Sequence, residues 1–252
     1  SKMPMVAVKQ PYVLFVVNDD TPQHPRAGQD NLGTMICFHS RYNLGDEHSF
    51  HEPDDFLMDL LEKKLGDYEK AEEKFEELTE EIDISLYRNR YGAYRKAIHD
   101  NILDYLSSSF VIEPIYLYDH SGITINTTGF SCPWDSGQVG WIYVSYDNIQ
   151  KEYGVVTPET IEKARQVLIS EVREYDYYLT DQCYGFKLYE SNEEIASCWG
   201  FMGEIRDVQN EIKEYLPDDC KDIVESLEYR YDDADIEDIL EEIKELDEEM
   251  EV

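Results

Sequence analysis

The sequence predicts an α+β fold, in which a mainly antiparallel sheet packs against helices and is followed by an acidic helical appendage. Short β-branched and aromatic runs separated by turn signals indicate the strands. Longer segments with apolar residues at helical spacing indicate the helices, and the composition becomes strongly acidic after residue 203. We therefore expect a core domain over residues 1–203, with an acidic helical insertion at about 53–83, and an appendage over residues 204–252.

The first part of the chain is expected to contain two strands and then three helices. The apolar runs at 13–17 and 34–38 are short and have polar flanks, which is typical of buried strands. Pro53 and the two aspartates after it match a helix start, because acids favour the positive end of the helix dipole. Two further helices are expected over about 67–81 and 88–106.

Residues 114–145, PIYLYDHSGITINTTGFSCPWDSGQVGWIYVS, are expected to form three strands joined by polar turns that contain glycine. Pro133 lacks a backbone donor, so the segment around it is predicted to be a loop. If the strands pair in sequence, this loop lies near the 119–122 turn. The stretch gathers six polar or aromatic side chains within twenty residues: Asp119, His120, Cys132, Trp134, Asp135 and Gln138.

Helices are expected again at 146–153 and from Thr157, where a threonine cap is followed by Pro158. A β-hairpin follows, in which CysTyrGlyPhe at 183–186 is echoed by CysTrpGlyPhe at 198–201. The tail carries three apolar stripes, at 205–216, 223–227 and 236–250, and nearly all positions between them are acidic. Such stripes must be buried against the core or a partner, because like charges on one helix repel.

The net charge of this chain is far more negative than that of most domains, because 22 basic and 56 acidic residues give −34. Residues 46–83 contain 16 acids and 4 bases, a net of −12, and residues 204–252 contain 21 acids and 5 bases, a net of −16. A chain of this kind should repel nucleic acid and anionic membranes and attract basic surfaces. The simpler interpretation of these acidic segments is that they form solvent-exposed helix faces. A variant of this interpretation is that the chain belongs to a halophilic proteome.

The sharper interpretation is mimicry of nucleic acid, because acid-rich helices can present carboxylates at a density comparable to backbone phosphates. The expected partner is a basic nucleic-acid-binding protein of a host cell, with no direct contact to nucleic acid or membrane. The acids predicted to bind it are Glu72, Glu73, Glu76, Glu80, Glu237, Asp238, Glu241, Glu245 and Glu248.

The block from Pro25 to His48, which contains AspAsnLeuGlyThrMet at 30–35 and ArgTyrAsnLeuGlyAspGluHis at 41–48, resembles uncharacterised proteins of phages and mobile elements of Gram-positive bacteria. The central stretch and the CysTrpGlyPhe segment are similar to the same group. The resemblance covers about residues 11–203 and leaves the acidic tail outside. It implies a mobile-element context and assigns no role to any residue.

An enzyme interpretation would use Asp119, His120, Cys132 and Asp135, together with His39. A cysteine beside a histidine can become a thiolate nucleophile, and a carboxylate can orient the imidazole. The same residues also suit polar turns that hydrogen-bond their own backbone.

No metal site or cofactor is expected. Zinc would need to draw on Cys37, Cys132, Cys183 and Cys198, but no CxxC or HxxxH pair is present. No glycine-rich phosphate loop occurs either. Five widely spaced cysteines indicate free thiols and a reducing cytoplasm.

The leading hypothesis is therefore a non-enzymatic phage or mobile-element protein that inhibits a host defence enzyme of restriction or CRISPR type by DNA or RNA mimicry. A small cytosolic hydrolase is the alternative, and a structural or assembly protein of a mobile element is a third class.

Overall fold

A computed structural model describes residues 4–28 and 30–252, and the chain forms two compact units. The terminal unit contains residues 4–27 and 174–252, and the central unit contains the described residues of 28–173. Each unit has its own antiparallel sheet and its own helices, so the predicted α+β class is confirmed. The strands that the sequence placed in one sheet are divided between two.

The terminal unit is built on a five-stranded sheet with the order β8-β7-β2-β1-β9. Its strands are β1 (Met5–Lys9), β2 (Tyr12–Asn18), β7 (Cys183–Glu190), β8 (Glu193–Met202) and β9 (Glu228–Tyr229). Its helices are α6 (Ile205–Lys213), a 3-10 helix (Asp218–Ser226) and α7 (Ile236–Met250). Strand β1 was not predicted, and the middle segment of the tail is a 3-10 helix rather than an α-helix.

The acidic tail covers both faces of this sheet. Side chains alternate along β2, as the pleat of a strand requires. Leu14 and Val16 pack with α6 and the 3-10 helix on one face, and Val13 and Phe15 pack with α7 on the other. The structure thus groups residues 204–252 with the N-terminal strands, whereas the sequence suggested an appendage on a 1–203 core. The change in composition arises at the solvent-facing positions, while the apolar stripes complete the core.

The echoed segments pair with each other in the β7–β8 hairpin. The turn is made by Ser191 and Asn192, both with positive φ, at 50° and 66°. Gly185 lies opposite Trp199, and a Cβ added at Gly185 would be only 2.2 Å from the Trp199 ring. The glycine is therefore needed for the indole to lie across the strand.

The central unit is built on a four-stranded sheet with the order β3-β6-β4-β5. Its strands are β3 (Thr34–Cys37), β4 (Phe110–Asp119), β5 (Ile123–Asn126) and β6 (Ser136–Ser145). Its helices are α1 (Pro53–Leu65), α2 (Tyr68–Glu80), a 3-10 turn (Ile84–Tyr87), α3 (Tyr91–Leu106), α4 (Tyr146–Tyr153) and the first part of α5 (Pro158–Leu179). Most bounds agree with the predictions, but α3 begins later than expected because a 3-10 turn precedes it.

Strand β6 connects the layers of the central unit. Trp141 lies in the same core cluster as α1, α2 and α3, and its ring stacks on Phe56 with centroids 5.5 Å apart. The next residue, Ile142, lies beside Leu168 of α5: a Cβ added at Gly33 would be 2.8 Å from Ile142 and 2.5 Å from Leu168. The predicted insertion at 53–83 is thus part of the core of this unit, because α1 buries four apolar side chains.

Candidate functional site

The turn at the end of strand β4 and the loop before the start of strand β6 meet as the sequence predicted. The backbone N–H of Asp119 donates to the carbonyl of Asp135 at 2.8 Å, and Tyr118 pairs with Ser136. This register places the loop around Pro133 beside the 119–122 turn, so the prediction made from strand adjacency is confirmed.

Asp119 is held by residues from the N-terminal block. Its carboxylate accepts a hydrogen bond from the guanidinium of Arg41 at 2.6 Å and one from the hydroxyl of Tyr42 at 3.4 Å. The backbone N–H groups of Arg41 and Tyr42 donate to Nδ1 of His39. A neutral His39 therefore carries its proton on Nε2, where it can act only as a donor.

A cleft of about 380 Å³ joins these two parts of the sequence. It is lined by Asp119, Asp135 and Gln138 from the central stretch, by His39 and Arg41 from the N-terminal block, and by the ring of Trp134, which is 91% exposed. Neither His120 nor Cys132 is among its lining residues. The structure thus brings the two carboxylates of the predicted catalytic set into one cleft, and the thiol is not part of its lining.

His120 and Cys132 lie in the turns around this cleft. Nδ1 of His120 is 3.6 Å from Asp135 Oδ2, and both side chains are largely exposed. The carbonyl of Cys132 accepts a hydrogen bond from the hydroxyl of Ser136. Over the described residues, no hydrogen bond joins the Cys132 thiol to a histidine, which a thiolate–imidazole pair would require.

The loop histidines stabilise their own turns. Nδ1 of His24 accepts from the backbone N–H of Arg26, and Nδ1 of His48 accepts from that of Phe50. Nε2 of His48 is 2.8 Å from the carbonyl of Cys37, so this ring donates there. In the part of the chain that the structure describes, no three His, Cys, Asp or Glu residues are placed to hold a metal ion together. Of the described helices, none has both the length and the low charge of a membrane span.

Helix α2 presents an acidic face to solvent. Five exposed glutamates fall within about 100° of its circumference and about 16 Å of its axis. They are Glu69, Glu72, Glu73, Glu76 and Glu80. The opposite side buries Ala71 and Leu78. Four of the five were predicted; Glu69 was missed, although its spacing of three and four residues from the next two would have placed it on the same face.

The electrostatic environment of this face is negative. The negative charge of Glu72, and the hydrogen bond that the Tyr68 hydroxyl donates to its carboxylate, raise the pKa of Tyr68 at the start of the helix. Lys74 lies on another side of α2, where it pairs with Glu77 at 2.9 Å and sits 4.9 Å from the centre of the Tyr105 ring. Lys74 is thus not available to neutralise the five glutamates, whereas Lys70, the other lysine of the helix, is exposed and lies three residues before Glu73.

Helix α7 has a face of the same kind. Its five predicted acids are all exposed and again lie within about 100° and about 16 Å. They are Glu237, Asp238, Glu241, Glu245 and Glu248. Asp238 also helps to start the helix, because its N–H donates to Asp235 in a capping box. Glu242, beside this face, pairs instead with Arg230 at 2.7 Å.

Comparison with known proteins gives no further assignment. No protein-family model matches the chain, and no match is found among curated proteins or solved structures.

Proposed function

We propose that this chain is an acidic inhibitor of a host nucleic-acid-binding defence enzyme, of restriction or CRISPR type, and that its helix-borne carboxylates take the place of backbone phosphates. The observation that carries the proposal is the acidic face of α2, with five exposed glutamates on one side of a single helix. The face of α7 adds a second row of five exposed acids in the other unit, with the exposed Lys244 at its edge.

The spacing of these charges supports mimicry. Five carboxylates over about 16 Å correspond to about one charge per 3–4 Å of helix axis, and one strand of duplex DNA carries about one phosphate per 3.4 Å. A cleft that binds one strand by pairing lysines and arginines with phosphates would therefore meet a similar row of anions on either helix. The mobile-element resemblance adds a context in which blocking a defence enzyme is useful.

The acidic faces also have a cost for the free protein. Like charges three and four residues apart destabilise a helix by about 0.2–0.5 kcal/mol per pair, and α2 carries several such pairs. A basic partner would relieve this repulsion on binding. Such an arrangement is expected where a surface is kept for binding rather than for stability.

The test is inhibition of DNA cleavage by purified restriction endonucleases and a Cas9-type nuclease. We expect inhibition that competes with DNA and weakens at least about tenfold between about 50 and 300 mM NaCl, because salt screens surface charges. Replacing Glu72, Glu73, Glu76 and Glu80 by glutamine should weaken inhibition further. The matched control replaces four exposed acids outside these faces: Glu152, Glu159, Glu193 and Glu194.

Three results would contradict the proposal. These are inhibition that is insensitive to salt, equal effects of the two sets of substitutions, and a stable complex that contains enzyme, inhibitor and DNA together. Lack of inhibition of every enzyme in the panel would exclude these classes of target.

A hydrolase at the β4–β6 loops is the second candidate, and one observation favours it: Asp119 and Asp135 share a cleft with His39. The role of Cys132, which does not line this cleft, is tested separately by alkylation of the full chain by iodoacetamide at pH 6–7. A catalytic Cys132 should react well below the usual thiol pKa of about 8.5, and Cys132→Ser should abolish that reaction. Reaction only at higher pH would remove the thiol from any such mechanism.

A further inference from the structure

The last two turns of helix α7 extend its apolar side beyond the part that packs on the sheet. The first part of the helix buries Ile239 and Leu240 and partly buries Ile243. Leu246 and Met250 continue the same side at intervals of three and four residues, but they are 55% and 86% exposed. An apolar stripe at helical spacing normally packs against another element, so this end of α7 presents one half of an interface.

Acidic side chains accompany this exposed stripe. Asp247 lies four residues after Ile243 and three before Met250, which places it on the apolar side of the helix, and Glu251 follows one turn later. Among the residues that the structure describes, neither of these two acids takes part in an ion pair. We call Leu246, Asp247, Met250 and Glu251 the α7 end. The acidic face of α7 lies on the opposite side of the helix.

A second exposed apolar surface lies in the central unit, in the 3-10 turn before α3. Ile84 and Leu86 in this turn are 62% and 67% exposed, and Tyr91 at the start of α3 is 69% exposed. The turn buries none of its own residues, so its apolar side chains contribute little to the core of the unit. These three side chains, together with Arg88 and Arg90, form what we call the 84–91 patch.

The patch is positively charged in a strongly acidic chain. Residues 84–99 contain four bases and no acid. The two bases further along α3 lie near aspartates, whereas Arg88 and Arg90 have no carboxylate partner in the part of the chain that the structure describes. Arg90 donates to the backbone carbonyl of Leu86 at 3.0 Å, which holds it beside the turn and leaves other N–H groups of its guanidinium for an anion.

We propose that the α7 end of one copy of this chain docks on the 84–91 patch of a second copy. Leu246 and Met250 pack against the apolar side chains of the patch, and Asp247 and Glu251 pair with its arginines. The two surfaces are alike in being apolar and opposite in charge, and every copy carries both. The inference does not depend on the proposed function, because none of the acids of the two acidic faces belongs to either surface.

The net charge of the chain sets the conditions for this contact. Two copies of a chain with a net charge of −34 repel each other at long range. At 0.15 M ionic strength charges are screened over about 8 Å, so the long-range repulsion is largely removed, while groups in direct contact still attract. The surfaces involve only a few side chains, and we therefore expect weak association that is half complete at about 10–100 µM protein.

The experiment is sedimentation equilibrium of the full chain in 0.15 M NaCl, from about 1 to about 300 µM protein. We expect the mean mass to rise reversibly above that of the monomer. Leu246→Gln combined with Met250→Gln should weaken association by at least about tenfold, because the apolar stripe is lost. The matched control combines Val155→Gln and Ile195→Gln, two exposed apolar positions outside both surfaces, and should associate like the parent.

Charge reversal tests whether these two surfaces meet each other. The patch variant combines Arg88→Glu and Arg90→Glu, and the α7 variant combines Asp247→Arg and Glu251→Arg. Either variant alone brings like charges together and should associate at least about tenfold more weakly than the parent. An equimolar mixture of the two should associate like the parent, because each α7 end then meets a patch of opposite charge.

Net charge alone would give a different pattern, since the α7 variant is less negative than the parent and would then associate more readily. The proposal is overturned if the parent remains monomeric at every concentration. It is also overturned if the α7 variant associates as tightly as the parent, or if the mixture associates no better than its two components.

Discussion

At the residue scale, Gly140 determines how closely strands β3 and β6 approach. A Cβ at this position would lie 1.9 Å from the carbonyl oxygen of Ile36, a backbone atom that cannot move aside alone. We expect Gly140→Ala to lower the free energy of unfolding by about 2 kcal/mol or more, because the strands must separate. Gly137→Ala in the same strand is the control, since an added Cβ there has no neighbour within 4 Å. Equal urea midpoints for the two variants would contradict this account.

Asp54 gives a prediction about pH. The hydrogen bond with His99, at 2.7 Å, lowers the pKa of the Asp54 carboxyl, and the charges of His99 and Arg95 act in the same direction. A group with a lowered folded-state pKa contributes stability above its unfolded pKa of about 3.9 and loses it as pH falls through the folded-state value.

Asp54→Asn should therefore be less stable than the parent at pH 7, and the difference should shrink as the pH falls below about 4. Urea denaturation at several pH values measures this. A difference that stays constant from about pH 3 to pH 7 would show that the contact between α1 and α3 does not depend on the charge of Asp54.

Individual side chains show where prediction from sequence succeeds and where it ends. The approach of the loop around Asp135 to Asp119 follows from strand adjacency, and local pattern is enough to predict it. The contact of Arg41 with Asp119 joins residues that are 78 positions apart, and no local pattern carries that information. The burial of the Trp141 indole Nε1–H, which has no acceptor among the described residues, depends on the packing of three helices against β6, and a single sequence does not display that packing.

At the scale of elements, the acidic tail gives the clearest prediction. Because α6 and the 3-10 helix cover one face of the five-stranded sheet and α7 covers the other, truncation after Gly203 would expose both faces. We expect the shortened protein to lose cooperative unfolding and to aggregate. Removal of residues 251–252 alone, both exposed, is the control.

A truncated protein that unfolds cooperatively would instead support the appendage inferred from composition. Calorimetry of the two truncated chains distinguishes these outcomes. The notable point is that a segment with a net charge of −16 carries apolar side chains at the interval of three to four residues that a core requires.

Helices were easier to predict than strands in this chain. The start of α5 at Pro158 and the end of α4 at Gly154 follow from local caps, and both are found. Strand β1 was missed because its apolar run, MetValAlaVal, is only four residues long; the sheet buries Met5 and Ala7 and leaves Val8 exposed. Only pairing with β2 defines this strand.

At the scale of the whole molecule, the division into two units is set by contacts that are remote in sequence. Strand β2 pairs with β7, so that Leu14 lies directly opposite Leu188, although all residues of the central unit lie between them in the sequence. Pattern alone predicts that these strands exist and that the class is α+β, but it does not state which strands share a sheet. For this reason the sequence suggested one sheet where the structure has two.

The net charge of −34 leads to a prediction for the complete chain. Excess charge of one sign destabilises a compact state through self-repulsion, and salt screens this repulsion. The Debye length falls from about 30 Å at 0.01 M to about 8 Å at 0.15 M ionic strength. We therefore expect the thermal midpoint to rise with NaCl over this range, most steeply at the low end, because the acidic faces of α2 and α7 lie on folded helices that hold like charges close together.

The matched variant replaces Glu72, Glu73, Glu76 and Glu80 by glutamine. It should be more stable than the parent at low salt, and its midpoint should rise less as salt is added, because part of the repulsion has been removed. Sucrose at equal osmolality, which adds no ions, should not reproduce the difference between the two proteins. If the parent and the variant respond equally to NaCl, the glutamates of α2 are too well hydrated to repel one another. The free protein would then hold no electrostatic strain for a basic partner to relieve.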